Sequence, residues 1–426
     1  MNLDWHLLKA VVLESDDWGL AAWSPDEQAH RVLTGTPAFR TAAGRLYGRS
    51  TLESAEDVRQ LATVLLGVKG RDGLPPVFQA NTIVANPDYD ALEPPTFSVA
   101  SLPVVMHPQM PSRWHRPGLW DAVHRAEDEG VWWAELHGLH HLPASVWLHA
   151  LRRGMDDARR AHAQASPICQ AVQDRGEYDA GESQEVRAAD LAAAVEGFTR
   201  LFGRAPSSFC PPDYRFDDWL EREAEKLGLN TLQGKPEQAR GRWVALRRRW
   251  LMRRFPHQQG GRFYMPPRIA FEPRGNARPD GRVGHEAALR GVRAAWRRGQ
   301  PAILSTHRLN FASLDPSWSQ AGRDALRALM LGLSEAGAVF LTDAEVRQAC
   351  ERAWSFRPVG SRGALLRQHG GAQVVLRFPV PQGVTGAHFR SPRGGTPPTS
   401  NRIKVEAGMA ETRVDVGEYL LEWERA

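Results

Sequence analysis

Residues 11–19, which read VVLESDDWG, decide the fold that we expect for this chain. The apolar residues run directly into Asp16 and Asp17 and then into a glycine. This is the pattern of a buried parallel strand that brings acidic groups to its carboxyl end, where α/β folds place their chemistry. Because two neighbouring carboxylates repel each other, we expect a cation or a strong donor beside them. A strand end followed by an aspartate cap and a turn is the simpler alternative.

Further along the chain, predicted strands and helices alternate at least seven times. Capping boxes at Ser54 with Asp57 and at Thr342 with Glu345 mark the starts of two helices. The further strands are predicted at residues 76–84, 131–136, 207–211, 229–232, 302–306 and 338–341. This alternation predicts a parallel sheet of the α/β class, most simply closed into a barrel.

Three connecting stretches carry weaker signals. Residues 20–50 are rich in Gly, Arg, Pro and Thr and read as a long loop at the functional end of the first strand. Residues 164–182 read as a polar loop. Pro143 opens a helix that is expected to run to about residue 162.

The pattern changes from about Arg357, where short strands are separated by Gly/Pro turns without helices between them. Such a pattern predicts a small antiparallel β-domain. We therefore expect a barrel over residues 1–353 and a β-sandwich-like domain over residues 354–426.

Composition and charge exclude several classes of protein. The 426 residues are 42% hydrophobic and 24% charged, which is ordinary for a globular protein, and no apolar run is long enough to span a bilayer. The net charge of +5 comes mostly from arginines spread along the whole chain, so nucleic acid is not an expected partner. One run, residues 240–254 (RGRWVALRRRWLMRR), suits an anionic glycan, a nucleotide-sugar phosphate or a membrane surface; an arginine-rich solvated face is the alternative.

The cysteines bear on the compartment. Cys169, Cys210 and Cys350 are odd in number and lack metal-ligand spacing, which indicates a reducing compartment without a disulfide framework. Acidic residues and Lys9 interrupt the N-terminal apolar run, so no secretion signal is recognised and a cytoplasmic location is expected.

Three predicted strand ends carry residues that suit chemistry. Asp16 and Asp17 follow the first strand, His137 and His141 follow the strand at 131–136, and His307 follows the strand at 302–306. In a barrel these ends converge on one face. Two imidazoles and one carboxylate form an open three-ligand set, which is typical of catalytic zinc. A polar loop or helix face is the alternative reading of the two histidines.

The order of these motifs resembles the polysaccharide deacetylase family, carbohydrate esterase family 4, over about residues 8–350. Residues 15–19 are similar to its Thr-Phe-Asp-Asp-Gly motif with a tryptophan inserted, and residues 137–141 are similar to its His-Ser/Thr-x-x-His motif. Residues 209–212 contain a Phe-x-Pro-Pro segment, and residues 304–307 match its Leu-x-x-His. The resemblance implies a distorted (β/α)7 barrel.

The resemblance also implies a function: a metal-dependent hydrolase that removes an acetyl group from an N-acetylated sugar, polysaccharide or glycoconjugate precursor. Asp17, His137 and His141 would bind a divalent metal, with zinc as the first choice. Asp16 would act as general base and His307 as the acid that protonates the departing amine. Residues assigned to substrate binding are Trp18, Asp213, Tyr214, Glu272 and Leu304. A backbone N–H at the turn formed by residues 212 and 213 would stabilise the oxyanion.

This sequence departs from the family pattern in three places. Cys210 stands where the family has the arginine that tethers the base carboxylate. Asp213 stands where a tyrosine is expected, and Tyr214 follows one place later. No Asp-x-x-Asp-Trp motif follows, so the sequence identifies neither the partner of Asp16 nor the group that orients His307.

Two other functions fit the same residues. A glycoside hydrolase would use carboxylate pairs drawn from Glu14, Asp16, Asp17, Glu135 and Glu272. A binding barrel without turnover is the third reading, because the tethering arginine is missing. A sugar-stacking groove would draw on Trp18, Trp23, Trp114 and Trp120, for which ordinary packing is the alternative.

Overall fold

The structure is a computed structural model. It describes residues 3–21, 23–173, 175–215, 217–234, 246, 254–275, 282–361, 363–370, 374–390 and 403–425. The cationic run at 240–254 therefore lies outside the described residues, apart from Leu246 and Arg254.

Twelve strands precede residue 354 in the described part of the chain. They are β1 (Ala10–Trp18), β2 (Phe78–Ile83), β3 (Ala85–Pro87), β4 (Val104–Met106), β5 (Trp132–Gly138), β6 (Ser208–Phe209), β7 (Thr231–Leu232), β8 (His257–Gln259), β9 (Arg262–Tyr264), β10 (Ile269–Ala270), β11 (Ala302–His307) and β12 (Val339–Leu341). Ten of them form one curled sheet in the order β10-β11-β1-β2-β5-β6-β7-β9-β8, with β12 beside the start of β1. All neighbours are parallel except β8 and β9, whereas β3 and β4 form a separate hairpin.

Twelve α-helices are described. They are α1 (Trp5–Leu8), α2 (Glu27–Leu33), α3 (Ala42–Tyr47), α4 (Ala55–Leu66), α5 (Leu119–Asp128), α6 (Ala144–Arg152), α7 (Asp156–His162), α8 (Gln184–Phe202), α9 (Asp218–Lys226), α10 (His285–Arg297), α11 (Pro316–Glu335) and α12 (Asp343–Arg352). Both predicted capping boxes are present, at the starts of α4 and α12. A search of the described helices for one long and apolar enough to cross a membrane finds none.

The α/β class is confirmed, with a mixed main sheet and separate antiparallel sheets, but a sevenfold count of strand and helix is not. The strand β1 shows how the sheet is buried. Val11 and Leu13 pack in the large core that also contains residues of helices α4, α5, α10 and α11, whereas Val12 packs with Ile303 and Phe263 on the other side of the sheet. Alternation along a strand then places Glu14 and Asp16 on the same side as Val12.

Two of the predicted connecting stretches were wrong in detail. Residues 20–50 were expected to be a loop, but they contain α2 and α3, whose first turns are capped by the side chains of Asp26 and Thr41. The single helix expected from Pro143 is broken into α6 and α7, because Gly154 adopts a positive φ of 72° between them.

The last seven strands form an antiparallel sheet with its own core. They are β13 (Trp354–Val359), β14 (Gly363–Gln368), β15 (Val374–Pro379), β16 (Val384–Arg390), β17 (Ile403–Glu406), β18 (Met409–Val414) and β19 (Gly417–Arg425). Their order is β13-β14-β19-β16-β17-β18-β15. The sheet begins two residues after α12 ends, and the division of the chain into two domains at residue 353 stays a prediction.

Arg367 of β14 joins the two sheets electrostatically. Its guanidinium, 2% exposed, pairs with Glu345 of α12 and donates to Asp72 at 2.9 Å and to the carbonyl of Phe340 at 3.2 Å. Arg357 of β13 pairs with the same Glu345 at 3.2 Å. Because all four side chains are buried, the loss of one partner leaves an uncompensated charge in the interior.

We therefore expect Arg367→Met to lower the free energy of unfolding by roughly 3–5 kcal/mol, because Glu345 and Asp72 would lose their buried partner. Urea unfolding followed by circular dichroism measures this loss. The matched control is Arg390→Met, which breaks an exposed pair with Glu422 and should change stability little. Equal losses in the two variants would contradict a role for Arg367 in joining the sheets.

Candidate active site

The carboxyl end of β1 directs two consecutive carboxylates to one place. Neighbouring side chains of a regular strand point to opposite faces. Here the register between β1 and β2 shifts between Ser15 and Trp18, and Asp17 adopts a positive φ of 74°. Such a bulge re-aims a side chain, so that Asp17 and Asp16 both lie within reach of His137.

The chain beyond the bulge is fixed by buried polar groups. Glu53 accepts a hydrogen bond from the amide of Gly19 at 2.9 Å and pairs with Arg308 at 3.1 Å. Asn86 binds the carbonyl of Gly19 and the amide of Ala21 at 2.9 and 2.7 Å. Gly19 has a φ of 76°, and a Cβ there would lie 2.4 Å from the carbonyl oxygen of Ile83. Glycine is therefore required at this turn.

Asp16 is held by a network in which Arg268 is the main partner. The Arg268 guanidinium donates to Oδ2 of Asp16 at 2.6 Å and to Oδ1 at 3.1 Å, and Asn81 donates to Oδ1 at 2.6 Å. Burial alone would raise the pKa of Asp16, but Arg268, His137 and His307 outweigh it and hold that pKa far below its usual range. Arg268 thus makes the bidentate contact with this carboxylate that the sequence left unassigned.

Arg268 also reaches a buried carboxyl pair below the site. Its Nε donates to Glu14, and Glu14 hydrogen-bonds the side chain of Asp343 at the start of α12. Burial raises the pKa of Glu14 well above its usual range and also raises that of Asp343. Two buried carboxyl groups in contact disfavour the ionisation of each other, which agrees with the raised pKa of both.

Asp17, His137 and His141 come together as a three-ligand set. The Nε2 atoms of His137 and His141 lie 3.4 and 3.5 Å from Oδ1 of Asp17. These separations are long for hydrogen bonds. Ligand atoms about 2.1 Å from a tetrahedral zinc ion lie roughly 3.4 Å from one another, so the donor set fits such an ion. Burial raises the pKa of Asp17, but the contact with His137 and the charge of His141 outweigh it and leave that pKa well below its usual range.

Neighbouring groups orient both histidines. Nδ1 of His137 lies 2.7 Å from the carbonyl oxygen of Cys210 and donates a hydrogen bond to it. The unprotonated Nε2 is then available to bind a metal. The carboxylate of Glu177 accepts hydrogen bonds from the backbone amides of Leu139, His140 and His141 at 2.7 to 2.9 Å. The side chain of His140 lies 3.6 Å from Asp190 and 3.8 Å from Glu177, and it is not part of the ligand set.

A second possible ligand group contains Asp16, His137 and Cys210. It fits a metal less well, because the carboxylate of Asp16 is already occupied by Arg268 and Asn81. Burial also raises the pKa of the Cys210 thiol well above its usual range, which disfavours the thiolate needed for ligation. The set formed by Asp17, His137 and His141 is therefore the better metal site.

His307 is oriented by Glu272. Nδ1 of His307 lies 2.6 Å from Oε1 of Glu272, and Nε2 faces Oδ2 of Asp16 at 4.0 Å. Burial lowers the pKa of His307, but Glu272 and then Asp17 and Asp16 outweigh it and raise that pKa to about 10. Glu272 was predicted to bind substrate; the structure instead places it behind the ring of His307, where it also accepts from Asn310 at 2.7 Å.

Two other residues predicted to bind substrate face away from the site. Trp18 is 1% exposed; its ring packs against Phe78 and Trp132, and its Nε1 donates to Ser15. Leu304 is fully buried in the core between the sheet and its helices. His307 and Leu304 are three residues apart on one strand, so they lie on opposite faces. Both side chains are buried, and a substrate-binding role for either residue stays a prediction.

The segment after β6 touches the site through Tyr214 rather than Asp213. The Tyr214 hydroxyl donates to Oδ2 of Asp16 at 3.3 Å and accepts from Arg268 at 2.7 Å, so it belongs to the network around Asp16. A role for Tyr214 in substrate binding stays a prediction. Asp213 has an exposed side chain and a positive φ of 53° in the turn. A role for Asp213 in substrate binding stays a prediction.

The four tryptophans of the predicted groove are mostly packing residues. Trp114 is fully buried, as Trp18 is, and Trp120 packs against His107 and Phe202. Trp23 is partly exposed and stacks on Tyr47 with ring centroids 5.9 Å apart. Burial, followed by the charges of Glu272 and Asp17, raises the pKa of Tyr47, so this ring lies in the field of the site.

The carboxylates needed by a glycoside hydrolase are committed elsewhere. Glu135 binds the backbone amides of Ser207 and Ser208 at 2.8 Å and the indole of Trp133 at 2.7 Å. Glu14 contacts the side chains of Asp343 and Arg268, and Glu272 contacts His307. Asp16 and Asp17 are consecutive residues of one strand and cannot flank a sugar from two sides.

Sequence reasoning missed three functional residues: Arg268, Glu177 and Tyr47. Arg268 lies directly before β10 in a segment that carries no recognised motif, and Glu177 lies in a loop. No periodic or motif signal in the sequence singles out Arg268 or Glu177.

Comparisons with known proteins give only distant likenesses. No known family and no curated protein matches the chain. A protein from Mycobacterium smegmatis that is named a polysaccharide deacetylase matches with a TM-score of 0.40 and 12% identity, over 80% of this chain and 90% of that one. A family 4 carbohydrate esterase from Streptomyces lividans matches at 0.30 and 11%, over 67% and 84%. An α-fucosidase from Thermotoga maritima matches at 0.33 and 12%, over 99% and 97%. With TM-scores of 0.40 or less, these likenesses do not distinguish between activities.

The contact between Glu272 and His307 yields a test in the metal-free protein. We expect Glu272→Gln to lower the pKa of His307 from about 10 towards its ordinary value of about 6.5, because the carboxylate that favours the charged ring is removed. NMR titration of the His307 ring from acidic to alkaline pH measures the change.

The same substitution affects stability in a defined pH window. The folded-state pKa of His307 is raised, so its contribution to stability is fully present below about pH 6.5 and is lost as pH rises through about 10. Glu272→Gln should remove this dependence. Glu196→Gln, which breaks an exposed pair with Arg200, is the control. An unchanged His307 titration in Glu272→Gln would contradict the assignment.

Proposed function

We propose that this protein is a metal-dependent hydrolase that removes an acetyl group from an N-acetylated sugar or glycoconjugate. The observation that carries the proposal is the open set of Asp17, His137 and His141, which lies between a carboxylate held by Arg268 and a histidine held by Glu272. In this proposal the curled sheet is a distorted (β/α)7 barrel over residues 1–353, and residues 354–426 form a second domain.

Asp17, His137 and His141 would hold a divalent cation, with zinc as the first choice. When bound, such an ion supplies Lewis acidity and lowers the pKa of a water molecule towards about 7. Asp16 would accept a proton from the attacking water. The bidentate contact with Arg268 keeps Asp16 ionised and fixes its orientation, but it also makes the carboxylate a weak base. Asp16 therefore requires an acidified water, in agreement with the adjacent donor set.

His307 would supply a proton to the departing amine. In the metal-free protein its pKa of about 10 keeps the ring protonated at neutral pH, and Glu272 on Nδ1 directs Nε2 towards Asp16. Nε2 of His307 and Oδ2 of Asp16 are 4.0 Å apart, so the proposed acid and the proposed base line the same part of the site. The backbone N–H of Asp213 is the proposed donor to the oxyanion.

The compartment is part of the proposal. Cys169, Cys210 and Cys350 are all free thiols, and two of them are buried. Free thiols are typical of a reducing compartment. We infer a cytoplasmic location, where the substrate would be a precursor rather than a finished wall polymer.

The metal site is tested first. We expect the protein purified without chelators to hold about one equivalent of zinc or a similar divalent ion, and His137→Ala combined with His141→Ala to lose it, because two of three ligands are removed. Elemental analysis measures the content. His115→Ala combined with His149→Ala, which removes two exposed histidines, is the control. A folded wild-type protein that holds no metal after reconstitution would refute the proposal, as would metal retained by the ligand variant.

The role of Arg268 is tested by kinetics. Arg268→Lys keeps the charge but loses the bidentate fork that fixes Asp16, so we expect kcat on N-acetylated oligosaccharides to fall at least about a hundredfold with little change in KM. Because some of the charge effect remains, the acidic limb of the pH profile should move only slightly. Wild-type kcat in Arg268→Lys would show that Asp16 does not depend on this contact.

A further inference from the structure

A cationic cavity of about 390 Å³ lies in the segment between β1 and α4. Its lining includes three arginines, a histidine, a threonine and a phenylalanine: Arg40, Arg45, Arg49, His30, Thr34 and Phe39. No carboxylate lines it. The volume lies within the range of small-molecule sites in proteins. The cavity thus has the size and the donors for a ligand that carries negative charge.

The charge of this cavity is only partly neutralised. Arg49 pairs with Glu27 at 2.5 Å. Within the part of the chain that the structure describes, no carboxylate pairs with Arg40 or Arg45. Nη1 of Arg45 donates to the carbonyl of Arg40 at 2.6 Å, which holds these two residues together at the cavity wall. Guanidinium groups without a carboxylate partner are suited to bidentate recognition of a carboxylate or phosphate.

A row of aromatic rings connects the cavity to the candidate active site. Phe39, in the cavity wall, contacts Trp23 with ring centroids 5.2 Å apart, and Trp23 stacks on Tyr47 at 5.9 Å. Leu46, the neighbour of Tyr47, lies next to Gly275, where a Cβ would be 3.6 Å from its side chain. Gly275 follows Glu272 by three residues, so α3 reaches from the cavity to the segment that orients His307. Phe39 is buried, whereas Trp23 and Tyr47 are partly exposed, so these two rings offer the stacking surface that sugar rings use.

We propose that this cavity binds an anionic group of the substrate, so that the acetylated glycan is an acidic one whose chain crosses Tyr47 and Trp23. This inference rests on the proposed function for the identity of the reaction, but the binding of an anion does not. The anionic group is a carboxylate, as in a uronic acid, or a phosphate, as in a sugar phosphate. Both would accept from the same guanidinium groups.

Binding is measured first by titration calorimetry with two probes, inorganic phosphate and glucuronate. We expect saturable binding by the wild-type protein and at least about a tenfold weaker binding by Arg40→Gln combined with Arg45→Gln, because two charge-assisted donors are removed. The control is Arg297→Gln combined with Arg298→Gln, which also removes two exposed positive charges, at the carboxyl end of α10. This control variant should bind both probes as the wild type does. The probe that binds more tightly identifies the anionic group.

Kinetics then separates this inference from the proposed function. The double substitution at Arg40 and Arg45 should raise KM for an acidic N-acetylated oligosaccharide. That fold increase should be at least about ten times the fold increase in KM for a neutral oligosaccharide. Equal affinities in all three proteins, no saturable binding, or equal changes in both KM values would overturn the anion site. A protein that binds the probes through Arg40 and Arg45 but deacetylates nothing would refute the proposed function and leave the anion site established.

Discussion

The buried ion pair between Arg268 and Asp16 is the interaction on which the candidate site depends. Removing two charges from water is costly, and the pair is tolerable only because the remaining hydrogen-bonding capacity is also used. Asn81 and Tyr214 complete the shell of Asp16, while Glu14 accepts from Arg268 below it. The same contact determines the chemistry: it keeps Asp16 ionised at any ordinary pH, and it makes Asp16 dependent on a neighbouring acidified water.

A backbone irregularity provides the second requirement of the site. Without the bulge at Asp17, that carboxylate would face the helices, and the set formed with His137 and His141 would lose its acidic member. The strain of a left-handed aspartate is offset by the contacts of Gly19 with Glu53 and Asn86. Order in the site thus originates partly in loops that touch neither a metal nor a substrate.

Periodicity and order along the chain predicted the parts of this molecule that depend on local rules. The buried strand β1, both capping boxes and the convergence of Asp16, His137 and His307 at one end of the sheet follow from such rules. Leu304 could also have been placed, because its odd separation from His307 puts it on the other face of β11. Arg268 and Glu177 could not, since each acts on a residue far away in sequence and neither position has a periodic or motif signal. The burial of Trp18 could not be foreseen, because the bulge that re-aims Asp17 leaves no signal in the sequence.

Arg268 and Glu272 flank the short edge strand β10, one before it and one after it. Asp16 and His307, the proposed base and acid, are therefore both positioned by one segment of five residues, which is about 13 Å of extended chain. An insertion or deletion within that segment would disturb both groups together, whereas the same change a few residues away would disturb neither. In the evolution of such a chain, length should be frozen across residues 268–272. The arginine that binds Asp16 can occupy a different position in the sequence, provided that its guanidinium lies at the same point in space.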